Sequence, residues 1–507
     1  MKLTLLVTFG SLLGCLLGTV MPLSAQQPEA AESTQGAPAQ RPNIVLILAD
    51  DLGYGELGSY GQTKIKTPHL DRLAMEGMRF TRSYTGAPVC APARCVLMTG
   101  KHLPTAQIRG NRENPRYKEG QEGQWPLEEG TITMVHVLQS GGYHTGGFGK
   151  WGLGNAENSG SPMAMGFDTF YGYYCQRVAH SYFPPYLNHN EKREALNVPA
   201  IPGHFKVPKD QTTTNFDRFQ GRIYAPDRIL EESLQFLREN KDGPFFLYLP
   251  FVEPHVAMQP PTEWVQEYPE EWDAQPYLGR RGYTPHARPR AGYAAMISDL
   301  DEHVGTVMAE LDALGLRDNT LILFTSDNGP THDVGGVDTK FFDSTGGLRG
   351  RKGSLWEGGI RIPMIASWPG VVPAGSTCAR PTGFHDLLPT LCDLTGLSAP
   401  ANVDGVSLAA CLTDGEQGPR AKPLLWEFHG YGGQHAVLFP NDMKAIRQKL
   451  HKQEQAWQLY DLKTDPTESK NIADQHPEWV AKAEALMLET RTVSPVFRFK
   501  SLDPKKE

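Results

Sequence analysis

The sequence predicts an α/β protein in which a large, mostly parallel sheet lies between layers of helices, followed by a smaller C-terminal α+β subdomain. Apolar runs of strand length alternate with helical patterns along most of the chain, and this alternation is typical of parallel strands joined by helices. The apolar runs are continuous, as expected of strands buried on both faces of a sheet. After about Pro400 the pattern changes to short strands and turns followed by one helix, which indicates a separate subdomain.

The N-terminal residues predict an export signal. Lys2 precedes the apolar stretch LTLLVTFGSLLGCLLGTV, and the small residues of MPLSA follow it, as in cleavable signal peptides. We therefore expect residues 1–25 to be removed and residues 26–40, rich in Ala, Gln, Pro and Ser, to form a disordered lead-in. The run is short for a membrane anchor, and the residues after Cys15 stay apolar, which disfavours a lipoprotein. The mature protein is expected to be periplasmic or secreted, with no membrane segment.

The mature chain is long enough for two domains, and we place a large domain at residues 41–415 and a small subdomain at residues 420–507. The formal net charge is −8 and has no long single-sign block, which argues against nucleic acid or an acidic membrane as a general partner. Six cysteines remain after the predicted cleavage and permit up to three disulfides in an exported chain, but their spacing leaves the pairing open. They are Cys90, Cys95, Cys175, Cys378, Cys392 and Cys411.

The elements follow from apolar periodicity and helix end signals. The first strand is predicted at residues 43–50, and a helix begins at Pro68, with Thr67 as its cap, and ends near Gly77. Further strands are predicted at residues 143–150, 244–252, 320–327 and 361–368, and helices within residues 227–240 and 293–315. Beyond Pro400, residues 422–430 and 456–474 predict short strands and turns, and residues 477–490 predict a helix.

Polar residues follow three of the predicted strands, where ligands collect in parallel sheets. They are Asp50 and Asp51, Glu253 and His255, and Asp327 and Asn328. The carboxylate and amide oxygens of the first and third sets suit a hard divalent cation, and the absence of histidine and thiolate from those sets favours calcium over zinc. An aspartate pair after a single strand more often starts a turn. Asp327 and Asn328, which follow another strand, favour a metal site instead.

Cys90 precedes the segment ARCVLMTG, which predicts a helix that ends at Gly100. A helix N-terminus presents free backbone N–H groups and the positive end of the helix dipole, so it favours an anionic group. Arg94 lies one turn further on the same face, where it can hold a nucleophile or an oxyanion close to the cation. The alternative is that Cys90 is buried as a small apolar side chain.

The segment CAPAR followed by CVLMTGKH resembles the C-x-P-x-R…TG signature of the sulfatases, in the alkaline-phosphatase-like superfamily. Other segments are similar to motifs of that family in the same order, so the resemblance spans about Asn43 to Met487. These segments are LILADDLGYGELGSYG, GYHTGGFGKWGLG, FVEPHVAMQPP, FTSDNG, LRGRKGSLWEGGIRIP and LYDLKTDPTESKNIA.

The resemblance implies an enzyme that hydrolyses sulfate monoesters. It implies that a dedicated maturation enzyme oxidises Cys90 to Cα-formylglycine, whose hydrate is the nucleophile, and that Arg94 orients this hydrate. Lys150 and Lys352 are implied to bind the sulfate group, and His255 to protonate the leaving alcohol. The implied calcium ligands are Asp50, Asp51, Asp327, Asn328 and the converted Cys90.

The chain departs from the family pattern at one position. Many members read G-K-W-H-L-G, and their histidine contacts the formylglycine, whereas this chain has Gly152. His332 and His144 are candidates to take over this role. Candidates for a substrate subsite are Arg109, Asn111 and Arg112, although exposed loop residues give the same pattern.

Two other functions stay open on the sequence. One is hydrolysis of phosphate or phosphonate esters on the same fold, and the other is binding of sulfated glycans by a site that has lost its activity at Gly152. An exported enzyme meets material outside the cytoplasm, so a polysaccharide or glycosaminoglycan sulfate is the expected substrate. An aryl sulfate stays open, as does the choice between endo and exo action.

Overall fold

The computed structural model of the protein describes residues 41–116, 122–415, 418–452 and 455–503. The predicted signal peptide and lead-in, including Cys15, lie outside the described residues. From Arg41 onward the chain packs as one unit, and the predicted boundary between residues 415 and 420 stays a prediction. None of the helices in the described part combines the length and the apolar character that a membrane-spanning segment needs.

A large mixed sheet forms the centre of the protein. Its strands are β1 (Asn43–Ala49), β2 (Met78–Tyr84), β3 (His144–Lys150), β4 (Thr169–Tyr173), β5 (Tyr186–His189), β6 (Lys192–Ala195), β7 (Phe245–Pro250), β8 (Thr320–Ser326), β9 (Arg361–Ser367), β10 (Ser376–Cys378) and β11 (Thr382–Gly383). They are ordered β10-β2-β9-β8-β1-β7-β3-β4-β5-β6, and β11 also pairs with β2. Strands β8, β1, β7, β3 and β4 pair in parallel, so their carboxyl ends lie at one edge of the sheet.

Helices cover both faces of this sheet. They are α1 (Pro68–Met75), α2 (Cys90–Thr99), α3 (Met134–Ser140), α4 (Ala225–Glu239), α5 (Thr262–Gln266), α6 (Pro289–Ala313), α7 (Glu357–Ile360), α8 (Leu387–Thr395) and α9 (Ala409–Thr413). Ile44, Leu46 and Leu48 of β1 pack in one apolar cluster with α2, α3 and α8. Val45 and Ile47 pack in a second cluster with α1, α4 and α6. Because side chains alternate along a strand and both faces of β1 are covered, β1 is apolar from Ile44 to Ala49.

A second, antiparallel sheet forms the C-terminal part. It consists of β12 (Leu424–Phe428), β13 (Gln434–Leu438), β14 (Met443–Gln448) and β15 (Gln458–Asp461), with helix α10 (Pro477–Thr490). Leu424, Trp426 and Phe428 face the main core, whereas Leu425 packs with residues of α10 on the other face. The sheet therefore shares an apolar core with the large domain.

The structure confirms the predicted fold class, and every strand and helix that the sequence predicted is present. Two details differ. Thr67 precedes α1, but its hydroxyl makes no cap hydrogen bond and instead lies 3.3 Å from the Asp71 carboxylate. Strand β9 pairs antiparallel to β8 and β2. The short strands β4, β5 and β6 were not predicted, because four or five residues carry little periodicity.

Candidate active site

Cys90 is the first residue of α2, as the sequence predicts, and the helix ends at Gly100 in the left-handed conformation. The Cys90 side chain is buried at the carboxyl edge of the sheet. Its Sγ lies 3.4 Å from Asp50 Oδ1 and 3.7 Å from Lys352 Nζ. Cys90 has no disulfide partner among the described residues. The Ala91 N–H donates to Asn111 Oδ1 over 3.0 Å, which fixes the start of the helix.

The predicted metal ligands lie together because β1 and β8 are adjacent parallel strands. Ala49 is in register with Ser326, so the residues that follow meet at the same edge. Asp51 has a left-handed backbone, with φ of 67°, which is uncommon for a residue other than glycine and clusters at functional sites. Its N–H donates to Asp327 Oδ1 over 3.2 Å. All these carboxylates are fully buried.

Asn328 completes this set with an oxygen that has no partner. Its amide nitrogen donates to Asp51 Oδ1 over 2.7 Å. Its Oδ1 is buried and has no hydrogen-bond partner among the described residues, although buried polar atoms are normally paired. An unpaired amide oxygen beside three carboxylates fits a hard divalent cation, which binds such oxygens.

Three basic side chains neutralise the carboxylates. Lys150 Nζ donates to Asp50, and Lys352 Nζ donates to Asp51 Oδ2 over 2.8 Å. Arg94 Nη2 donates to Asp327 Oδ2 over 2.8 Å and to Asp50 Oδ2 over 3.2 Å. These contacts pair three cationic side chains with three carboxylates. A bound divalent cation would therefore make the net charge of the site positive and favour an anionic ligand.

The sheet brings Lys150 to this position through a close approach of two strands. A Cβ atom at Gly149 would lie 2.1 Å from the carbonyl oxygen of Pro250, and Gly149 has φ of 137°. Only glycine fits this contact between β3 and β7. The next residue, Lys150, ends β3 and its carbonyl oxygen accepts from Arg94.

Burial and charge shift the pKa values of the site. Burial raises the pKa of Asp50, but Lys150, His255 and Arg94 outweigh it and hold this pKa well below its ordinary value. Burial and the Asp50 charge raise the pKa of the Cys90 thiol to about 12. Burial lowers the pKa of Lys352, but Asp51 raises it well above its ordinary value. The lysine is therefore charged and the thiol neutral at physiological pH.

His255 follows β7 and faces the same cluster. Its Nε2 lies 3.7 Å from Asp51 Oδ2, and its Nδ1 lies within hydrogen-bond distance of the Val256 carbonyl oxygen. A carbonyl only accepts, so Nδ1 carries a proton and Nε2 is the nitrogen that faces the site. Burial and the charge of Lys352 lower the pKa of His255 well below its ordinary value.

The space beside Gly152 is occupied by the side chain of another residue. Gly152 has φ of 81°, and a Cβ atom there would lie 2.6 Å from Gln176 Nε2. The amide of Gln176 thus occupies the space that a side chain at residue 152 would need. Its Nε2 is buried and has no hydrogen-bond partner among the described residues. No sequence pattern indicates Gln176, since the contact depends on the path of the backbone after β4.

The two histidines considered as replacements lie in different places. His144 is exposed at the start of β3, whereas Lys150 is at its other end, so the prediction for His144 is wrong. His332 lies near the site, where its Nε2 is 2.8 Å from the hydroxyl of Tyr431, a half-exposed residue of the β12–β13 loop. Burial, and then the charge of Lys352, lower the pKa of His332.

The proposed subsite residues have mainly structural contacts. Arg109 is buried and donates to Glu427 Oε1 over 2.6 Å and to the Thr492 carbonyl oxygen over 2.8 Å. It is not accessible to a substrate, so the prediction for Arg109 is wrong. Arg112 donates to the Val496 carbonyl oxygen over 2.8 Å. Asn111 accepts from the backbone of α2, as described above.

Sequence reasoning missed three aromatic residues that lie beside His255. The His180 ring stacks on the His255 ring with centroids 5.2 Å apart and an interplanar angle of 13°. Tyr283 packs edge-on against both rings, and His204 stacks on Tyr283. His204 and Tyr283 lie in loops, and His180 ends a single turn of 3-10 helix, Val178–His180. The three residues are far apart in sequence and belong to no periodic pattern, so only the fold brings them together.

Comparisons with known proteins agree with this geometry. A sequence model described as sulfatase matches residues 42–397, and one described as N-sulphoglucosamine sulphohydrolase, C-terminal, matches residues 351–491. Arylsulfatase A of Homo sapiens is 32% identical over 488 residues, which cover 89% of this chain and 88% of that protein. N-acetylgalactosamine-6-O-sulfatase of Bacteroides thetaiotaomicron is 29% identical, with 92% of this chain and 96% of that protein covered.

Solved structures include the same fold. The crystal structure of Ps i-CgsB superposes with a TM-score of 0.73 at 26% identity, covering 91% of this chain and 96% of that chain. A second structure of Ps i-CgsB, in complex with k-i-k-neocarrahexaose, matches equally well.

Proposed function

The chain belongs to the sulfatase family and is a sulfuric ester hydrolase, and on that premise we propose that it is exported and hydrolyses carbohydrate sulfate monoesters. We also propose that Cys90 is converted to Cα-formylglycine and that the site binds calcium. One observation carries the proposal. Cys90 begins α2 with its Sγ 3.4 Å from a carboxylate of the metal-ligand set and 3.7 Å from Lys352 Nζ.

The site supports conversion of Cys90 by a maturation enzyme. The residue is not held in a disulfide in the described structure, and it stands at a helix N-terminus, which favours negative charge. The hydrated aldehyde would supply a hydroxyl that attacks sulfur, in place of a thiol that burial and the Asp50 charge keep protonated by raising its pKa to about 12.

Asp50 and Asp51, whose carboxylates lie in one cluster of possible ligand atoms with Cys90 and His255, would hold the calcium ion together with the Asp327 carboxylate and the unpaired Oδ1 of Asn328. When bound, calcium would stabilise negative charge on the sulfate oxygens. The carboxylates now paired with Lys150 and Lys352 would then be shared with the cation, which leaves ammonium N–H groups available to the sulfate.

Side chains of the protein bind the sulfate group, position the ligands and protonate the leaving group. Lys150 and Lys352 donate to the sulfate oxygens and stabilise the charge that develops there. Arg94, which is fully buried between Asp50 and Asp327, holds the carboxylates in position and faces the nucleophile from the same helix. His255 faces the leaving oxygen with Nε2, because its Nδ1–H is occupied by the Val256 carbonyl. Nε2 takes up a proton from solvent when the anionic sulfate ester binds, and it then donates that proton to the leaving alkoxide oxygen.

The substrate class is supported by the relatives and by the predicted export signal. N-acetylgalactosamine-6-O-sulfatase acts, by its name, on a sulfated sugar, and one crystal structure of Ps i-CgsB is a complex with k-i-k-neocarrahexaose. We propose that this chain likewise removes sulfate from a glycan outside the cytoplasm. Phosphate or phosphonate hydrolysis and glycan binding without turnover are the alternatives that the test below separates.

The test is a screen of sulfated mono- and oligosaccharides with protein produced with and without a formylglycine-generating enzyme. We expect sulfate release only from converted protein, and none from Cys90→Ala. Cys95→Ala is the matched control, since Cys95 is a second buried cysteine of the same helix, and it is expected to keep activity. Faster release of phosphate than of sulfate from matched esters would overturn the assignment, as would binding without turnover by fully converted protein.

A further inference from the structure

Three residues form an aromatic group beside His255, which we call the imidazole wall: His180, His204 and Tyr283. His180 lies parallel to His255 at 5.2 Å, and His204 lies nearly parallel to Tyr283 at 4.5 Å. The edge of Tyr283 packs against His180 at 5.3 Å. The wall therefore stands next to the residue that we propose as the proton donor to the leaving group.

Hydrogen bonds within the wall fix the tautomers of both histidines. The backbone N–H of Tyr283 donates to His204 Nδ1 over 3.2 Å, so this nitrogen carries a lone pair. In the neutral ring the proton is then on His204 Nε2, which lies 3.0 Å from His180 Nδ1. His204 donates and His180 Nδ1 accepts, because neutral imidazole has one donor and one acceptor. The proton of His180 is therefore on Nε2.

The Nε2–H group of His180 is free to bind a ligand. No hydrogen bond from this atom occurs within the described residues, and the ring is only partly buried. Burial and the charges of His255 and Lys150 lower the pKa of His180 well below its ordinary value, so the ring is neutral. His180 lies near the groups that we propose to bind sulfate, because its ring stacks on His255, and both His255 and Lys352 contact the Asp51 carboxylate.

We propose that His180 is a substrate-binding residue whose Nε2–H donates to a hydroxyl or ring oxygen of the sugar next to the scissile sulfate ester. His204 is a positioning residue, because it holds the proton of His180 on Nε2. This inference rests on the proposed function and narrows it to substrates with an oxygen next to the ester. A neutral donor selects an uncharged oxygen at little desolvation cost.

The first experiment replaces His180 by phenylalanine, which keeps a ring to stack on His255 but has no donor. Kinetics are measured on the best sulfated sugar from the screen and on deoxy analogues that lack one neighbouring oxygen each. We expect His180→Phe to lower kcat/KM about tenfold or more on the parent sugar. For one deoxy analogue, kcat/KM of the wild type should fall by a similar factor relative to the parent sugar. On that analogue, kcat/KM should be the same for the wild type and for His180→Phe. His189→Phe, an exposed histidine at the end of β5, is the control.

Two results would overturn the proposal. One is that His180→Phe lowers kcat/KM by the same factor on the parent sugar and on every analogue, which would mean that His180 only supports His255. The other is no loss on any substrate. If the wild type hydrolyses no sulfated sugar at all, the proposed function itself fails, which is a separate outcome.

A second experiment tests His204. His204→Phe removes the donor to His180 Nδ1, whereas His204→Gln retains an amide donor. We expect His204→Phe to raise KM on the parent sugar more than it changes kcat, and His204→Gln to restore part of the loss. The imidazole ¹⁵N spectrum should show His180 as the Nε2–H tautomer in the wild type. A His180 protonated on Nδ1 in the wild type would contradict the proposal.

An independent observation concerns the cysteines. The sulfurs of Cys378, at the end of β10, and Cys411, in α9, lie 3.0 Å apart, and both residues are buried. No other pair of sulfurs among the six described cysteines makes such a contact. A disulfide bond would bring these two sulfurs to about 2.05 Å, and it would tie the sheet edge to the last helix of the large domain.

We infer that Cys378 and Cys411 form a disulfide when the chain meets a disulfide oxidant, such as a thiol–disulfide oxidoreductase. The two thiols lose two protons and two electrons, the S–S bond forms, and the oxidant's disulfide is reduced to two thiols. Export, which is part of the proposed function, would bring the chain to such a compartment.

The test uses purified protein in a glutathione disulfide buffer, so that it does not depend on export. After alkylation of free thiols and trypsin digestion, we expect one linked peptide pair that contains Cys378 and Cys411. The thermal midpoint should rise on oxidation in the wild type and in Cys392→Ser, but not in Cys411→Ser. Recovery of both cysteines alkylated after oxidation, in folded protein, would overturn the inference.

Discussion

Cys90 lies among charged side chains that come from distant parts of the chain. Asp50 follows the first strand, and Lys352 lies in the loop before α7, yet both are within 4 Å of the Cys90 sulfur. The local segment from Cys90 to Arg94 was readable from sequence, because a helix N-terminus and a one-turn spacing are local properties. The partners depend on which strands are neighbours, and only the family resemblance pointed to Lys352.

Lys352→Ala is expected to lower kcat on a sulfate ester by about 10²- to 10³-fold, the effect of removing one preorganised donor from a developing oxyanion. The reason is that Lys352 Nζ is held by Asp51 beside Cys90, where the sulfate is proposed to bind. Steady-state kinetics check this result, with the thermal midpoint measured to confirm folding. Lys340→Ala, at an exposed lysine, serves as control, and a similar kcat in both variants would contradict the role.

Removal of calcium is expected to lower the thermal midpoint by several degrees, because an ion that binds only the folded state stabilises it. The buried Asp50 and Asp51 carboxylates lose that stabilisation when a chelator is added. Added calcium should restore the midpoint, and Asn328→Ala should reduce the calcium-dependent shift. A thermal midpoint that changes neither with chelator nor with added calcium would argue against a cation at this site.

At the scale of elements, the loop after β7 ties the site to helix α6. The Glu253 carbonyl oxygen accepts from the Asp50 N–H over 3.0 Å, and its carboxylate oxygen lies 3.2 Å from His303 Nδ1. His303 Nε2 lies 3.2 Å from Asp227 on α4. His255 is two residues beyond Glu253, so this buried contact helps to position the proposed proton donor.

The charge on His303 makes stability depend on pH. Burial lowers the pKa of His303, but Asp299 and Asp227 raise it well above its ordinary value. The folded state thus binds the proton more tightly. The stabilisation is complete below the unfolded pKa of about 6.5 and is lost as pH rises through the higher folded pKa. His303→Gln is expected to lower the free energy of unfolding by about 3 kcal/mol below pH 6, and by less at higher pH.

Urea unfolding at several pH values checks this prediction. His69→Gln is the control, since its pair with Glu302 spans 3.3 Å between half-exposed side chains and such surface pairs contribute little. A difference between wild type and His303→Gln that does not change with pH would show that folding does not raise the pKa of His303, which would contradict the prediction.

The sequence could not predict the imidazole wall, for a reason at the same scale. His204 and Tyr283 lie in loops, and His180 lies in a single turn of 3-10 helix. Such segments have no hydrophobic periodicity from which the position of a side chain could be predicted. The strand-end rule, in contrast, correctly located Asp50, Asp51, Asp327 and Asn328, because parallel neighbours end at one edge.

At the scale of the whole molecule, the C-terminal sheet is joined to the large domain by buried charges as well as by a shared core. Glu427 of β12 is fully buried and accepts from Arg109 of the large domain and from Arg491 after α10. Burial of Arg109 explains why sequence analysis assigned it wrongly, since arginine is almost never fully buried unless it is paired.

Glu427→Gln is expected to destabilise the protein by about 3 kcal/mol, because it leaves Arg109 and Arg491 without their buried partner. Unfolding should remain a single transition, since Leu424 and Trp426 belong to the main apolar cluster. Differential scanning calorimetry measures both quantities. Two separate transitions in the variant would mean that the C-terminal sheet folds independently.

The account depends most on the chemical state of residue 90 in active enzyme. The most direct measurement is the mass of the peptide that contains this residue, compared with specific activity across preparations made with different amounts of the maturation enzyme. We predict that sulfatase activity rises in proportion to the fraction of the lighter aldehyde form. Full activity in a preparation whose Cys90 is an unmodified thiol would contradict the account.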